Sequence, residues 1–441
     1  MHKLKIASLI WPGMMLVVAA PNGFAADSPF SSNSPWMLGD WNGQRTALQQ
    51  QGIDFNVNYV MESAANLAGG YQSATTARYT DQWAFGAHLD LQKLLGWQDT
   101  DFQATVTDRN GQNLSEQIAN PKAPMLSSVQ EVYGRGQTWR LTQFWLRTGF
   151  SDDRFNLKLG RATVGEDFGT IETHFQNLAL GPGIPGKSRS DRWMNWPVSQ
   201  WMGRLQLNIT PDVYVKVGFY NQNDDNDNRG SGFHFSVNHS DGNLIPLEIG
   251  WQPKLGADAL PGNYRLGAYY SSARGGVYHS WQHGEYGDTA HGYGAYAIVQ
   301  QQLFAWQHDN HRGLSLTLSQ VMHDKRTSKL DYTQTVALTW KGLFAARPQD
   351  EIGLGMARLH VNSAYSRMLE RENEENGVQS TNDATYLPVI RGSEYDYELY
   401  YAWNVRQWLS LRPNLQYVAA PGADSSVKDA FVGGITASLT F

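Results

Sequence analysis

Residues 430–441 read Ala430-Phe431-Val432-Gly433-Gly434-Ile435-Thr436-Ala437-Ser438-Leu439-Thr440-Phe441. Phe431, Ile435, Ala437, Leu439 and Phe441 share one parity, and Gly434, Thr436, Ser438 and Thr440 share the other. One apolar face at period two is the mark of a strand with a single greasy side. Ile53, Phe55, Val57, Tyr59 and Met61 against Asp54, Asn56, Asn58 and Glu62 repeat it near the other end of the chain. So do Trp83, Phe85, Ala87, Leu89 and Leu91 against Gln82, Gly86, His88, Asp90 and Gln92.

Aromatic residues close many of these stretches. Trp97, Trp251, Trp306, Trp340 and Trp403 stand at strand ends before short polar turns, and Phe150 and Phe441 end two more. A ring at that position suits headgroup depth, because its body is apolar and the indole N–H needs a wet partner. A soluble barrel or sandwich with core aromatics is the competing explanation, and the connections decide between them. About sixteen alternating segments run from 53–65 and 80–95 to 408–419 and 430–441; in 350–363 the apolar parity changes near Leu359. The brief connections are Gly96–Asp99, Ser151–Asp153, Thr210–Pro211, Trp306–His311 and Val405–Gln407. Those at the other end are long: 66–79, 110–137, 164–198, 223–243, 275–290 and 364–392, with a short exception near Lys325–Thr327. Short turns on one rim and long loops on the other predict an all-β transmembrane antiparallel barrel, with both termini at the periplasmic rim.

Composition agrees. Mean hydropathy is −0.47, and beyond the N-terminus no apolar run is long enough for a helical span. A membrane barrel tolerates such polarity, since only alternate residues meet lipid. There are no cysteines, so disulfides and thiol chemistry are excluded. His2, Lys3 and Lys5, an apolar stretch Ile6–Ala20 and the small residues Gly23, Ala25 and Ala26 predict a signal peptide over 1–26. Losing Lys3 and Lys5 moves the formal charge from −6 to −8, which argues against a nucleic-acid partner. Residues 27–52 hold a tail and a short periplasmic helix, capped by Asp40 and stopped by Gly52, and 53–441 form the barrel, with strands only.

Sixteen closed strands leave an aqueous lumen that side chains alone cannot fill. Loop 164–198 is dense in chemistry: Glu166, Asp167, Glu172 and His174 come first, then Lys187, Arg189, Asp191, Arg192, Trp193 and Trp196. Folded inwards, it would set opposed charges and indoles across a constriction. Sugars suit that surface through C–H stacking and charge-assisted hydrogen bonds to hydroxyls. Strand parity adds Glu62, His88, Asp90, Arg109, Arg147, Lys158, Arg204, Lys216, Arg265, Glu398 and Arg412 as pore-lining groups. Simple alternation aims Arg161 at lipid, unless a bulge at Gly160 turns it inwards or it lies above the membrane.

Other motifs lack their context. Gly181-Pro182-Gly183-Ile184-Pro185-Gly186 spells G-x-G-x-x-G, but its prolines and the absence of a following helix rule out a dinucleotide site. Asp224-Asp225-Asn226-Asp227-Asn228 lacks the glycine and glutamate of a calcium loop. His279, His283, Glu285 and His291 read as a polar surface loop rather than metal ligands. Glu166 and Glu172 have no support as a glycosidase pair. No catalytic residue, metal or cofactor is expected.

Trp36-Met37-Leu38-Gly39-Asp40-Trp41-Asn42-Gly43-Gln44-Arg45, with Leu48 and Gly52-Ile53, resembles the start of carbohydrate-selective porins of the OprB family. Leu159-Gly160-Arg161 followed by Gly165-Glu166-Asp167-Phe168, and the strand ending in Phe441, are similar too. The resemblance implies a sixteen-stranded barrel passing glucose and related sugars by diffusion through a narrow, basic-lined constriction. It carries Arg161 and Asp167 over as motif members. Expected partners are mono- or disaccharides, outer-membrane lipid and lipopolysaccharide, and the barrel-assembly machinery through the terminal strand. A general or anion-preferring porin, and an outer-membrane enzyme acting on lipid or glycan, are the alternatives.

Overall fold

The computed structural model describes residues 28–73, 75–152, 154–187, 193–378 and 380–441. The expected signal segment, Arg189 and Arg192 lie outside them. Among the described residues sixteen long strands run antiparallel in chain order. The first eight are β1 (Ile53–Gly69), β2 (Ala77–Asp90), β3 (Thr100–Gly111), β4 (Arg140–Phe150), β5 (Phe155–Ala162), β6 (Gln200–Thr210), β7 (Val213–Gln222) and β8 (Gly242–Trp251). The rest are β9 (Leu260–Gly276), β10 (Thr289–Trp306), β11 (Asp309–His323), β12 (Leu330–Lys341), β13 (Glu351–Val361), β14 (Ser393–Arg406), β15 (Leu409–Ala419) and β16 (Ala430–Thr440).

Pairing of β1 with β16, from Asn58↔Thr440 to Gly69↔Ala430, closes the sheet. Closure leaves no edge, so each strand's backbone is satisfied where lipid offers no partner. Among the described residues no helix is long and apolar enough to cross a membrane. The outward faces carry exposed apolar groups such as Leu247, Leu266, Leu354, Leu399 and Ile435. At the short-turn rim the rings meet one another, with Trp306 and Trp340 at 6.2 Å and Trp251 and Tyr264 at 5.2 Å.

The N-terminal motif has a physical role at this rim. Helix α1 (Gln44–Gln51) ends at Gly52, whose φ of 97° is left-handed. Arg45 is buried against the Trp36 and Trp41 rings, at 4.2 and 5.0 Å. Its Nη1 donates to the Phe441 carbonyl at 2.8 Å and its Nη2 to that of Phe55 at 2.6 Å. One arginine thus ties the helix to both ends of the barrel seam.

Three expectations need correction. The segment 80–95 is not strand throughout: Asp90 accepts from the Lys93 N–H and starts a short helix, Leu91–Leu95, so Trp97 sits in the turn beyond it. Helix also returns later. Asn362 caps α2 (Ser363–Glu375) by accepting from the Ala364 N–H at 3.0 Å, and α2 buries Met368 and Leu369. In β13 the parity does not change: Gly353, Gly355, Ala357, Leu359 and Val361 all face inwards. The inward face itself becomes apolar there, because Leu359 and Val361 pack with Phe175, Leu180, Met368 and Tyr400 under in-folded chain.

A face test follows from this arrangement. Leu318 is exposed on the lipid side of β11, whereas its neighbour Thr317 lines an open cavity. Leu318→Arg is expected to cost about 2–4 kcal/mol of barrel stability near the midplane, and Thr317→Arg far less. Heat-modifiable gel migration of refolded protein reads the difference; equal yields would refute the face assignment.

Candidate functional site

Among the described residues two connections enter the barrel, 112–139 between β3 and β4, and 163–187 with 193–199 between β5 and β6. Turning inwards takes backbone N–H groups away from water, and an unpaired buried donor costs about 1–3 kcal/mol. Glutamates on the wall accept them. Glu398 Oε1 and Oε2 take the N–H groups of Gln176 and Asn177 at 2.9 and 2.7 Å. Glu394 takes those of Leu126 and Ser127, each at 3.1 Å. Glu62 takes Val132 at 3.0 Å and Glu248 takes Gly169 at 2.9 Å. All four carboxylates are fully buried. Gln176 continues the attachment, its Oε1 accepting from Asn414 Nδ2 and Thr436 Oγ1, both at 2.9 Å. Thr436 therefore meets packed loop rather than open water.

The motif Gly165-Glu166-Asp167-Phe168 lies on a second anchor. Lys158 Nζ donates to Glu166 Oε1 at 2.5 Å and Asp167 Oδ2 at 3.1 Å, and Arg204 Nε reaches Asp167 Oδ1 at 3.3 Å. Burial opposes ionisation of Asp167, but Lys158, Arg204 and Lys216 outweigh it and hold the carboxyl below its ordinary range. Lys216 also pairs with Glu248 at 3.0 Å. Asp167, Lys158, Arg204 and Lys216 are thus fasteners more than pore charges.

Among the described residues three of the cavities left open follow one another through the barrel. The outer one, about 590 Å³, is bordered by Glu116, Tyr133, Arg135, Lys187, Trp193 and Asp227. The central one, about 420 Å³, is lined by Glu62, Gln82, Arg109, Glu131, Arg135, Glu166, Trp196 and Arg412. The inner one, about 720 Å³, opens among Glu172, His174, Arg265, Glu351 and a row of hydroxyls. Tyr133, Arg135, Leu178 and Gly186 border both outer and central cavities. Thr170, Thr173, Phe175 and Pro182 border both central and inner ones.

The central cavity gathers several of the expected groups. Arg109 Nε donates to Gln82 Oε1 at 2.7 Å and its Nη1 to the Tyr133 carbonyl at 2.9 Å. The Trp196 Nε1–H also donates to Gln82 Oε1, at 2.9 Å. Other expected residues lie elsewhere. Trp193 is 1% exposed and packs edge-on against Tyr269 and Tyr296, so it seats the loop on the wall. Asp101 engages His88 at 2.8 Å and Arg147 at 2.8 and 3.0 Å near the periplasmic mouth, and Asp90 caps its helix.

Arg161 does not enter the lumen. The β4–β5 register runs through Gly160 without a bulge. Arg161 stays on the outward parity with Trp201, and residues 223–241 cover it. Its Nη2 donates to the Ser199 carbonyl at 2.9 Å, its Nη1 bonds the His234 carbonyl, and the Phe235 ring lies 5.5 Å away.

Glu131, Tyr133 and Arg135 were not foreseen, since residues 112–139 looked like an ordinary surface loop. Arg135 Nη1 pairs with Asp227 Oδ2 at 2.9 Å.

A closed sixteen-stranded barrel with short periplasmic turns and a lumen narrowed by its own loops defines a bacterial outer-membrane channel. The chain belongs to the carbohydrate-selective porin, OprB family, whose model matches residues 74–441. It is 47% identical over 425 residues to Porin B of Pseudomonas aeruginosa, covering 94% of this chain and 93% of that one. It is also similar to the high-pH structure of Pseudomonas putida OprB, with a TM-score of 0.91, 44% identity and coverage of 94% and 100% of the two chains. The protein is a sugar-selective porin of the outer membrane, and its relatives are channels rather than enzymes.

Lys187 supplies a pH test. Its Nζ donates to the Ala179 carbonyl at 2.8 Å beside the outer cavity, and burial lowers its pKa to about 7 although Glu131 pulls the other way. The amine is neutral above that pH and gains a positive charge below it. Anion preference is therefore expected to rise as pH falls through about 7, and Lys187→Met is expected to flatten that step. Reversal potentials in planar bilayers under a salt gradient measure it, and an identical pH profile in the variant would contradict the assignment.

Proposed function

We propose that sugars the size of glucose diffuse passively through the three cavities and are selected at the central one. The observation that carries this reading is the narrowing itself. The smallest cavity in the series sets the guanidinium groups of Arg109 and Arg412 and the carboxylate of Glu131 beside the Trp196 indole. Cationic donors and an anionic acceptor facing one space match hydroxyl groups, which both donate and accept. Burial raises the pKa of Glu131 although Arg109 and Arg412 oppose it.

The anion-preferring alternative finds less support. Lys158, Arg204, Lys216 and Arg147 are each paired with a carboxylate, so much of the basic wall carries little free charge. A hydrolytic site finds none, since Glu166 is held by Lys158 and borders the central cavity, whereas Glu172 borders the inner one.

Removal of residues 1–26 on export, a surrounding shell of lipid and lipopolysaccharide, and delivery by the barrel-assembly machinery through the strand ending in Phe441 complete the proposal. The outward row Phe431, Ile435 and Leu439 beside the aromatic terminus supports the last of these.

Liposome swelling tests the selection step. Arg109→Ala with Glu131→Gln is expected to reduce glucose uptake at low concentration, where binding limits flux, while single-channel ion conductance rises as the passage widens. Unchanged values for both, in a barrel that still migrates as folded, would remove the central cavity from the mechanism.

A further inference from the structure

The inner cavity has a chemistry of its own. One wall is formed by β11 and β12, where Ser315, Thr317, Thr335 and Thr339 line the space. Ser315 stands directly across from Thr339, and Thr335 lies further along the same face of β12. Neighbouring positions on such a face are about 5 Å apart across strands and about 7 Å apart along one. The result is a grid of hydroxyls on one face of the wall. Among the described residues none of the four side-chain hydroxyls has a protein hydrogen-bond partner, in contrast to the dense pairing of the wall above.

The remaining groups narrow the ligand class. Arg265 extends from β9, its Nη2 held by Gln300 Oε1 at 3.0 Å and its Nε without a partner. On the wall Glu351 Oε1 meets His174 Nδ1 at 3.0 Å and accepts from the Tyr400 hydroxyl, and Glu172 of the loop sets a carboxylate in the same cavity as the Arg265 guanidinium, so charges of both signs face it. The facing loop supplies Ile171, Phe175 and Pro182, an apolar surface opposite the hydroxyl grid. A ligand with a C–H face, a polar rim and no net charge satisfies both walls, and a volume of about 720 Å³ lies within the range of small-molecule sites.

We propose that the inner cavity is a second sugar-binding station, in which the hydroxyl grid of β11 and β12 and the Arg265 guanidinium hold a neutral polyol ring on the periplasmic side of the constriction. The inference rests on the sugar reading above and adds a site to it. A station here takes a sugar released from the central cavity, and it makes sugar binding from the two sides of the channel inequivalent.

The test is sided sugar block of single channels of known orientation, with glucose added to one compartment at a time and binding read from current noise. In the Thr317→Val, Thr335→Val, Thr339→Val triple variant the half-saturating glucose concentration from the periplasmic side is expected to rise about five-fold, and that from the extracellular side to change much less. Arg265→Gln is the second variant, for use if the triple variant does not assemble, with the same sided shift expected. Unchanged periplasmic block in these variants, while Arg109→Ala still alters extracellular block, overturns the inner station and leaves the central site standing. Absence of glucose block from either side in the unmodified protein overturns both.

Discussion

The structure depends on the bond between a buried wall carboxylate and the backbone N–H groups of an in-folded loop. A sixteen-stranded cylinder is too wide to be closed by its own side chains, so chain must enter it. Entering chain brings unpaired donors, and those that pack against the wall are out of reach of lumen water and need acceptors there. Glu62, Glu248, Glu394 and Glu398 provide them as carboxyl oxygens reaching in from the wall. A carboxylate also takes two donors at once, as Glu398 does with Gln176 and Asn177. The same bonds satisfy the loop and relieve the cost of burying the acid. The cations follow from this: Lys158, Arg204 and Lys216 neutralise further buried acids, and the basic groups left facing the central cavity define the passage.

Strand pattern was legible because lipid imposes it. Ile435 and Leu354 must face outwards whatever lies inside, and the alternation of the terminal strand states this without ambiguity. The aromatic rim was legible for the same reason. Leu359 and Val361 misled because the inner face is not uniformly wet; where loops pack against it, that face turns apolar and the contrast between faces fades. Leu91–Leu95 was expected to continue the strand, although the alternation stops at Gln92: Leu91, Leu94 and Leu95 follow helical spacing, and Asp90 caps the turn.

The site was half legible. That 164–198 would fold inwards and bring Trp196 and Glu166 to the passage could be read from the density of charges and indoles. That Glu131 and Arg135 would meet them from another loop could not, since their meeting is fixed by backbone bonds to wall residues far away in sequence. Parity correctly put Glu62, Glu398 and Lys158 on the inner face, but parity does not distinguish a group that lines water from one that fastens a loop. Arg161 shows the converse: its alternation pointed away from the lumen, and a covering loop makes that position tolerable.

The most direct test of the account is to turn acceptors into donors on the wall. In a Glu394→Gln, Glu398→Gln double variant, where both oxygens of each carboxyl accept backbone N–H groups, the amide keeps one acceptor and sets its NH2 against an N–H that had met the other oxygen, with the shape of the side chain nearly unchanged. Single-channel conductance and the ratio of glucose to larger-sugar uptake are then measured in the folded barrel. Conductance well above the unmodified level, with loss of size discrimination, is the predicted result. Unchanged conductance with discrimination intact would show that the loops hold their place without these carboxylates.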